Sequence, residues 1–360
     1  MRGVSMMGVI GIHIGSQYLS NPTANIHLIA IFEIVTRFAV PIFFFISAFG
    51  LFYKLDLRAE LDYPKFLRRR FKTVLIPYLT WSLFYLAHDG WFYNVGFPAP
   101  DYLAKILFFG VAKYQLYFLV ILIWFYLLMP LWIAIVRRIT PRGLIALLIF
   151  QIAVDYFSSY NQTFNAYVYS LPPDDLWRCF LFFRLNWFVP LYVFIFVLGG
   201  WLAVRWELFN QFMRSHVGSI SIGFIATLLG MLAHYYYIIK VMQLPPEAAI
   251  NIAHQLSPIG ILYTIAASIF FFMLFSTVDF GALKKILSIL GRHSYFAYLV
   301  HPLVITYLVL ALQSTGRLLT APLAIGLYFA TLIISLMIAA IFDKIGANCP
   351  IVGRLTVGKS

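Results

Sequence analysis

Long apolar stretches follow one another along almost the whole chain, separated by short polar connections. A helix that crosses a bilayer needs roughly 20 mostly apolar residues. About ten stretches approach that length, at 3–19, 29–53, 73–88, 116–136, 143–157, 187–206, 217–239, 257–278, 286–310 and 321–343. We therefore predict an all-α, polytopic integral membrane protein with about ten transmembrane helices.

The composition supports this prediction and limits where chemistry can take place. Of the 360 residues, 62% are apolar and only 11% are charged, whereas a soluble domain has about 25% charged residues. The ten predicted helices leave no room for a soluble catalytic domain, so any reaction must use residues in the membrane or at its two faces. Cys179 and Cys349 stand in none of the spacings that bind zinc, and we expect no metal site.

The basic residues define a topology. A net charge of +13 would suggest nucleic acid as a partner of a soluble protein, but Lys and Arg are also retained on the cytoplasmic side of membrane proteins. Here 18 of them lie in the termini and connections of one parity, and 6 lie in the opposite connections. We therefore expect no nucleic-acid partner, both termini in the cytoplasm, a membrane domain at 1–345 and a short cytoplasmic tail at 346–360.

Ionisable residues inside spans are costly and mark function by default, and His13 is the first of them. Arg2 precedes it by eleven residues, which on a helix returns to the same face about 16 Å further along the axis. Arg2 would then lie at the cytoplasmic surface and His13 past the middle of the bilayer, on a stripe that could line one passage. A structural hydrogen bond of His13, with Arg2 as a topological anchor, is the equal alternative.

Glu33 and Arg37 are spaced for an ion pair along one face of the second span. Both would lie at a depth similar to that of His13. A carboxylate there could orient the imidazole and fix its tautomer. A pair that only neutralises itself in lipid fits the spacing equally well.

The run FLRRRFKTVLIPY at 66–78 brings Arg69, Arg70 and Lys72 to the cytoplasmic end of the third span. Guanidinium and ammonium groups bind phosphate oxygens strongly. A cluster that sets topology and meets anionic lipid headgroups explains the same residues.

His301 lies inside the ninth span, directly before Pro302. The proline removes a backbone donor and can open the helix locally. His301 could face the same interior as His13, or it could hydrogen-bond the carbonyl that the proline leaves free.

Five motifs then occur in an order that a known family also shows: RGVSMMGVIGIH at 2–13, AVPIFFFISAFGL at 39–51, the basic run leading into IPYLTWS at 76–82, YQLYFLVILIWFYLLMP at 114–130 and GRHSYFAYLVHP at 291–302. Together they resemble acyltransferase family 3 of membrane proteins. Within the family, the chain resembles stand-alone members that modify envelope polysaccharide, including those of the poly-N-acetylglucosamine intercellular adhesin type.

The resemblance implies an O-acetyltransferase-like enzyme of the bacterial plasma membrane. Such an enzyme takes an acyl group, commonly acetyl, from cytoplasmic acyl-CoA and delivers it across the bilayer to a hydroxyl of an envelope glycan or lipid-linked saccharide. Acyl-CoA is then a donor substrate and no cofactor is permanently bound. A separate extracytoplasmic transferase or polysaccharide synthase as partner stays open.

The resemblance also assigns residues. The family motif of Arg or Lys, ten residues and His falls on Arg2 and His13, and the family's arginine motif, which is thought to meet the CoA phosphates, matches at Arg69, Arg70 and Lys72 if lysine replaces the second arginine. We expect His13, Arg2 and Glu33 to be catalytic and Arg37 and His301 to bind substrate. His13 would act as general base or carry the acyl group. The chain departs from the family at Ala48, where members commonly have Gly after Ser.

A transporter or flippase of an envelope polysaccharide or lipid-linked glycan is the alternative, because many spans, intramembrane charges and a proline-broken helix would also serve it. A membrane scaffold for glycan synthesis is a third class. Dependence on acyl-CoA separates the enzyme from both.

Overall fold

The computed structural model describes residues 1–19 and 25–358, and this part of the chain forms helices without any strand. The helices are α1 (Arg2–Leu19), α2 (Ile26–Thr36), α3 (Ala39–Phe52), α4 (Tyr63–Arg70), α5 (Ile76–Phe92), α6 (Pro100–Phe109), α7 (Tyr117–Leu127), α8 (Met129–Arg138), α9 (Pro141–Tyr160), α10 (Gln162–Ser170), α11 (Leu176–Phe182), α12 (Arg184–Trp187), α13 (Val193–Ala203), α14 (Trp206–Ser215), α15 (Val217–Lys240), α16 (Pro246–Ile252), α17 (Pro258–Thr277), α18 (Leu283–Gln313), α19 (Ala321–Asn348) and α20 (Pro350–Val357). The predicted all-α class is confirmed.

Among the described helices, six are long and apolar enough to cross a membrane, and eight result if two bent pairs each count as one span. The six are α2 with α3, α9, α15, α17, α18 and α19. In one bent pair, α7 and α8 meet at 67°. In the other, the segment Val189–Ala203, which ends with α13, meets α14 at 95°. The predicted stretches at 3–19 and 73–88 correspond to α1 and α5, which are helical but are not among these candidates. The count of ten and the cytoplasmic termini therefore stay predictions.

The chain divides into two compact units. The first contains Met1–Leu55, Ile139–Ser159 and Tyr192–Leu336. The second contains Asp56–Arg138, Tyr160–Leu191 and the chain from Met337 onward.

In the first unit, α1 packs closely on α2 because glycines face that helix. A Cβ atom at Gly11 would lie 2.9 Å from Cε1 of Phe32, and one at Gly15 would lie 2.8 Å from Oε2 of Glu33. Small residues three and four apart allow such close approach between helices in membranes. Another side of α1, which carries His13, packs on α18.

The helices α3 and α13 of the first unit approach each other in the same way. A Cβ atom at Gly199 would lie 2.5 Å from the carbonyl oxygen of Phe45 and 3.2 Å from Cβ of Ala48. Ala48 therefore lies in a close helix contact whose glycine is on α13.

In the second unit, α4 continues into α5 through a π-helical turn at Phe71–Leu75. The predicted tail at 346–360 includes α20, which packs on this segment: the indole Nε1–H of Trp81 donates to the carbonyl oxygen of Thr356 at 3.1 Å. The last two residues of that tail, including Lys359, lie outside the described residues. The boundary at residue 345 stays a prediction.

Candidate active site

The imidazoles of His13 and His301 stack on each other in the first unit. Their ring centroids are 5.3 Å apart and the planes are inclined by 23°. His301 is fully buried, and His13 is partly buried. The packing of α1 against α18 thus joins two histidines from opposite ends of the chain.

A proline fixes the protonation pattern of His301. Pro302 has no backbone N–H, so the carbonyl of Tyr298, which lies four residues earlier, has no helical donor. Nδ1 of His301 lies 2.7 Å from that carbonyl oxygen and 3.3 Å from the one of Ala297. Since carbonyls only accept, Nδ1 carries the hydrogen, and in the neutral ring Nε2 carries the lone pair. The hydrogen bond to the freed carbonyl, which the sequence offered as one of two alternatives, is present.

That lone pair has no partner within the described structure. Nε2 of His301 is buried and makes no hydrogen bond. Buried polar atoms in native proteins are nearly always satisfied, and each exception needs an explanation. An unpaired acceptor beside a second imidazole is an arrangement suited to accept a proton.

Arg2 begins the helix that carries His13, and its side chain is exposed. Because α1 is continuous from Arg2 to Leu19, the two residues lie on one helix face, about 16 Å apart along the axis. The shared stripe inferred from their spacing is therefore compatible with the fold.

Glu33 and Arg37 form the expected ion pair, with 2.7 Å between Oε1 and Nη2. The carboxylate is almost fully buried, and its other oxygen has no hydrogen-bond partner. Arg37 donates further to Oε1 of Gln255 at 3.5 Å and to the carbonyl oxygen of Ile250 at 3.3 Å. The pair thus holds together α2 and the segment that leads into α17.

The carboxylate of Glu33 meets α1 at Gly15. Two residues along an α-helix correspond to about 200° of rotation, so Glu33 approaches the side of α1 away from the Cβ atom of His13. The role of Glu33 towards His13 stays a prediction.

His254 lies just before α17, near the end of the predicted span 257–278. Its Nδ1 accepts a hydrogen bond from the backbone N–H of Leu256 at 3.0 Å. Burial, and then the positive charge of Arg37, lower the pKa of His254 to about 4. His254 is therefore neutral at pH 7 and accepts the bond from Leu256 in that form.

The basic run lies in the second unit, and its side chains differ in their exposure to solvent. Arg69 and Lys72 are exposed. Arg70 is half-buried, with its guanidinium 5.4 Å from the ring centroid of Phe66 and 5.6 Å from that of Tyr126. The π-helical turn begins at the next residue, and such turns are frequent at functional sites.

Asp155 on α9 is a buried carboxyl group that sequence reasoning missed. It is fully buried, and its Oδ2 accepts from Nε2 of Gln151 at 3.3 Å while Oδ1 has no hydrogen-bond partner. Gln151 also accepts from the backbone N–H of Phe194 at 2.8 Å, at the start of α13. The signal was available, because Asp155 lies inside the predicted span 143–157 and intramembrane carboxylates are rare.

Across the described residues, no three His, Cys, Asp or Glu side chains come together as metal ligands. The site instead contains an imidazole pair stacked between α1 and α18 and a buried ion pair at the end of α2. The fold is that of an all-helical protein with several helices that are long and apolar enough to cross a membrane.

The profile of a family described as an acyltransferase domain matches residues 1–340. The chain belongs to this family, acyltransferase family 3, and is a membrane acyltransferase. No curated protein and no solved structure gives a significant match to the chain. Family membership favours an acyltransferase over the transporter considered above.

Proposed function

We propose that this protein transfers an acetyl group from cytoplasmic acyl-CoA across the membrane to a hydroxyl group of a cell-envelope glycan. Membership of the acyltransferase family supports the reaction class. The stacked pair of His13 and His301 is the observation that carries the proposal, because it brings a partly buried and a fully buried imidazole together between two helices. Multi-pass insertion in a bacterial plasma membrane would give such an enzyme access to both substrates.

The donor's phosphates bind at the basic run of the second unit. Arg69 and Lys72 are exposed and offer N–H donors to solvent, and such groups bind phosphate oxygens in charge-assisted hydrogen bonds. Arg70 is held by its aromatic neighbours, which limits the orientations of its guanidinium plane. A planar, pre-oriented guanidinium loses less freedom on binding phosphate than a lysine does.

His13 performs the transfer, either as general base towards the acceptor hydroxyl or as temporary carrier of the acyl group. A positioned general acid or base typically contributes 10²–10⁴-fold in rate. Arg2 lies on the face of α1 that carries His13, and the pair of Glu33 and Arg37 sets the electrostatic environment of the imidazole. His301 completes the binding surface for the substrates.

The acceptor is a polysaccharide or a lipid-linked saccharide at the outer face. Transfer to it is either direct or completed by a partner such as an extracytoplasmic transferase or a polysaccharide synthase. The proposal therefore includes acyl-CoA, the glycan and the bilayer, and requires no permanently bound cofactor.

Membrane vesicles supplied with radiolabelled acetyl-CoA test this proposal. Label should appear in envelope polysaccharide with the wild type, should be lost with His13→Ala at equal expression, and should persist with His216→Ala, which removes an exposed histidine. Equal labelling by the wild type and His13→Ala would contradict the role of His13. Absence of label in all three would contradict acetyl transfer from acetyl-CoA to this acceptor.

A further inference from the structure

His301 has a lone pair whose position is fixed and whose partner is missing. Its Nδ1–H is used by the carbonyl of Tyr298, so the ring cannot readily exchange its two nitrogens. Its Nε2 is buried without a hydrogen bond. Nε2 is therefore the ring atom of His301 that can accept a hydrogen bond or a proton from a substrate.

The way in which Nδ1–H is held resembles sites where a base serves a nucleophile, although Nε2 of His301 makes no hydrogen bond to the stacked ring of His13. A third group holds Nδ1–H of a histidine, and Nε2 of that histidine then takes a proton beside the nucleophile. In this protein the holding group is the carbonyl of Tyr298, freed by Pro302, and the neighbouring side chain is His13. His301 thus has the geometry of a base and His13 has the position of a nucleophile.

We propose that His301 is a second catalytic residue, the base that takes the proton of the acceptor hydroxyl, and that His13 carries the acyl group. The inference rests on the acyltransferase function proposed above and decides between the two roles left open for His13. One imidazole cannot hold an acyl group and remove the hydroxyl proton in the same step, while two stacked imidazoles can divide these tasks.

The proposed reaction consists of two half-reactions, acylation of His13 and transfer of the acyl group to the acceptor. First, a ring nitrogen of His13 forms a bond to the acyl carbonyl carbon, the carbon–sulfur bond breaks, and CoA leaves as thiolate with the electron pair. Next, the acceptor oxygen bonds to the same carbon, its proton passes to Nε2 of His301, and the carbon–nitrogen bond breaks to restore neutral His13. His301 then loses this proton to water, and water protonates the thiolate, so that one thioester and one hydroxyl give one ester and one thiol.

The hydrogen bond from Nδ1 of His301 to the carbonyl freed by Pro302 suggests the most informative substitution of His301. In His301→Asn, the side-chain amide N–H takes the place of Nδ1–H and can still donate to the Tyr298 carbonyl. The variant has no basic nitrogen in the position of Nε2. It therefore separates the structural hydrogen bond of His301 from the proposed catalysis.

Two measurements follow the two half-reactions, acylation of His13 and transfer to the acceptor. In proteoliposomes without glycan, the first turnover of acetyl-CoA is followed as free thiol and as radiolabel on the protein. In membrane vesicles that contain their own polysaccharide, label transfer to glycan is measured. His301→Asn should retain the first-turnover thiol release and protein label, and lose about 10²–10⁴-fold in the rate of transfer.

Three comparisons make the result decisive. His13→Ala should lose both readouts, His216→Asn should keep both, and His301→Gln provides a second variant without a base if the Asn variant does not fold. Transfer at the wild-type rate by His301→Asn, or its loss of thiol release together with transfer, would overturn the role of His301. A wild type that neither releases thiol nor transfers label would overturn the proposed function itself.

Discussion

The buried ion pair of the first unit offers a sharp test of how this fold tolerates charge in the membrane. Glu33 and Arg37 share a 2.7 Å contact and are both almost completely shielded from solvent. We consider the single substitutions Glu33→Gln and Arg37→Gln and their combination. Each single change leaves one full charge without its partner, and the double change leaves two neutral amides.

Removing one member of a buried pair typically costs about 3–5 kcal/mol, while replacing both members is often nearly neutral. Arg37 retains two neutral acceptors when Glu33 is changed, Gln255 and the carbonyl of Ile250. Glu33→Gln should therefore cost about 3 kcal/mol, near the lower end of that range. The double variant should cost less than either single variant.

The free energy of unfolding can be measured on purified protein in mixed micelles of dodecyl maltoside and increasing SDS, followed by tryptophan fluorescence. The exposed Glu207 gives a matched control, and Glu207→Gln should change stability by less than about 0.5 kcal/mol. A double variant as destabilised as the sum of the two single variants would show that the pair is not coupled. That outcome would refute the reasoning.

Two further predictions concern the donor site and acid stability. Arg70→Lys keeps the charge but loses the planar contact of the guanidinium with Phe66 and Tyr126, which is worth about 1 kcal/mol. We therefore expect KM for acetyl-CoA to rise several-fold with little change in kcat. An unchanged KM would contradict a role of Arg70 in donor binding. His254 has a folded-state pKa of about 4, below the usual value near 6.5. Between pH 6.5 and pH 4 the unfolded state therefore binds more protons than the folded state. The free energy of unfolding should fall by up to about 3 kcal/mol over this pH range. The variant His254→Asn, which can still accept the Leu256 N–H, should flatten this part of the stability curve, and an identical curve would argue against the burial of a neutral imidazole.

Local geometry was the part of the site that could be predicted from the sequence. The i,i+4 spacing of Glu33 and Arg37 indicates their ion pair, because one helix face brings such residues together. The step from His301 to Pro302 similarly offers the bond to Tyr298, because a proline always frees the carbonyl four residues before it. Both outcomes depend only on helix geometry within a few residues.

Contacts between distant helices could not be obtained in this way. The stack of His13 on His301 depends on how α1 packs against α18, and neither helix carries a local signal for that pairing. The link from Glu33 to His13 illustrates the same limit. Similar depth in the bilayer suggested that Glu33 could orient His13, whereas the place where Glu33 meets α1, at Gly15, is visible only in the structure.

The spans show a related limit of apolar pattern. The stretch at 116–136 is apolar throughout, yet the structure bends by 67° between α7 and α8, next to Pro130. The stretch at 187–206 leads into a 95° bend before α14, where Arg205 and Glu207 interrupt the apolar run. Hydropathy reports how apolar a segment is, whereas the direction of the helix depends on where the backbone or a charge prevents it from continuing.

The structural and the catalytic interpretation of His301 do not exclude each other. The hydrogen bond to the freed carbonyl is enough to explain why a histidine precedes the proline. This bond satisfies only one of the two ring nitrogens. The same bond determines which nitrogen remains basic, because the proton is held at Nδ1. Pro302 therefore connects helix stability with reactivity: the donor that it removes from the backbone is replaced by His301, and this replacement leaves a buried lone pair next to His13.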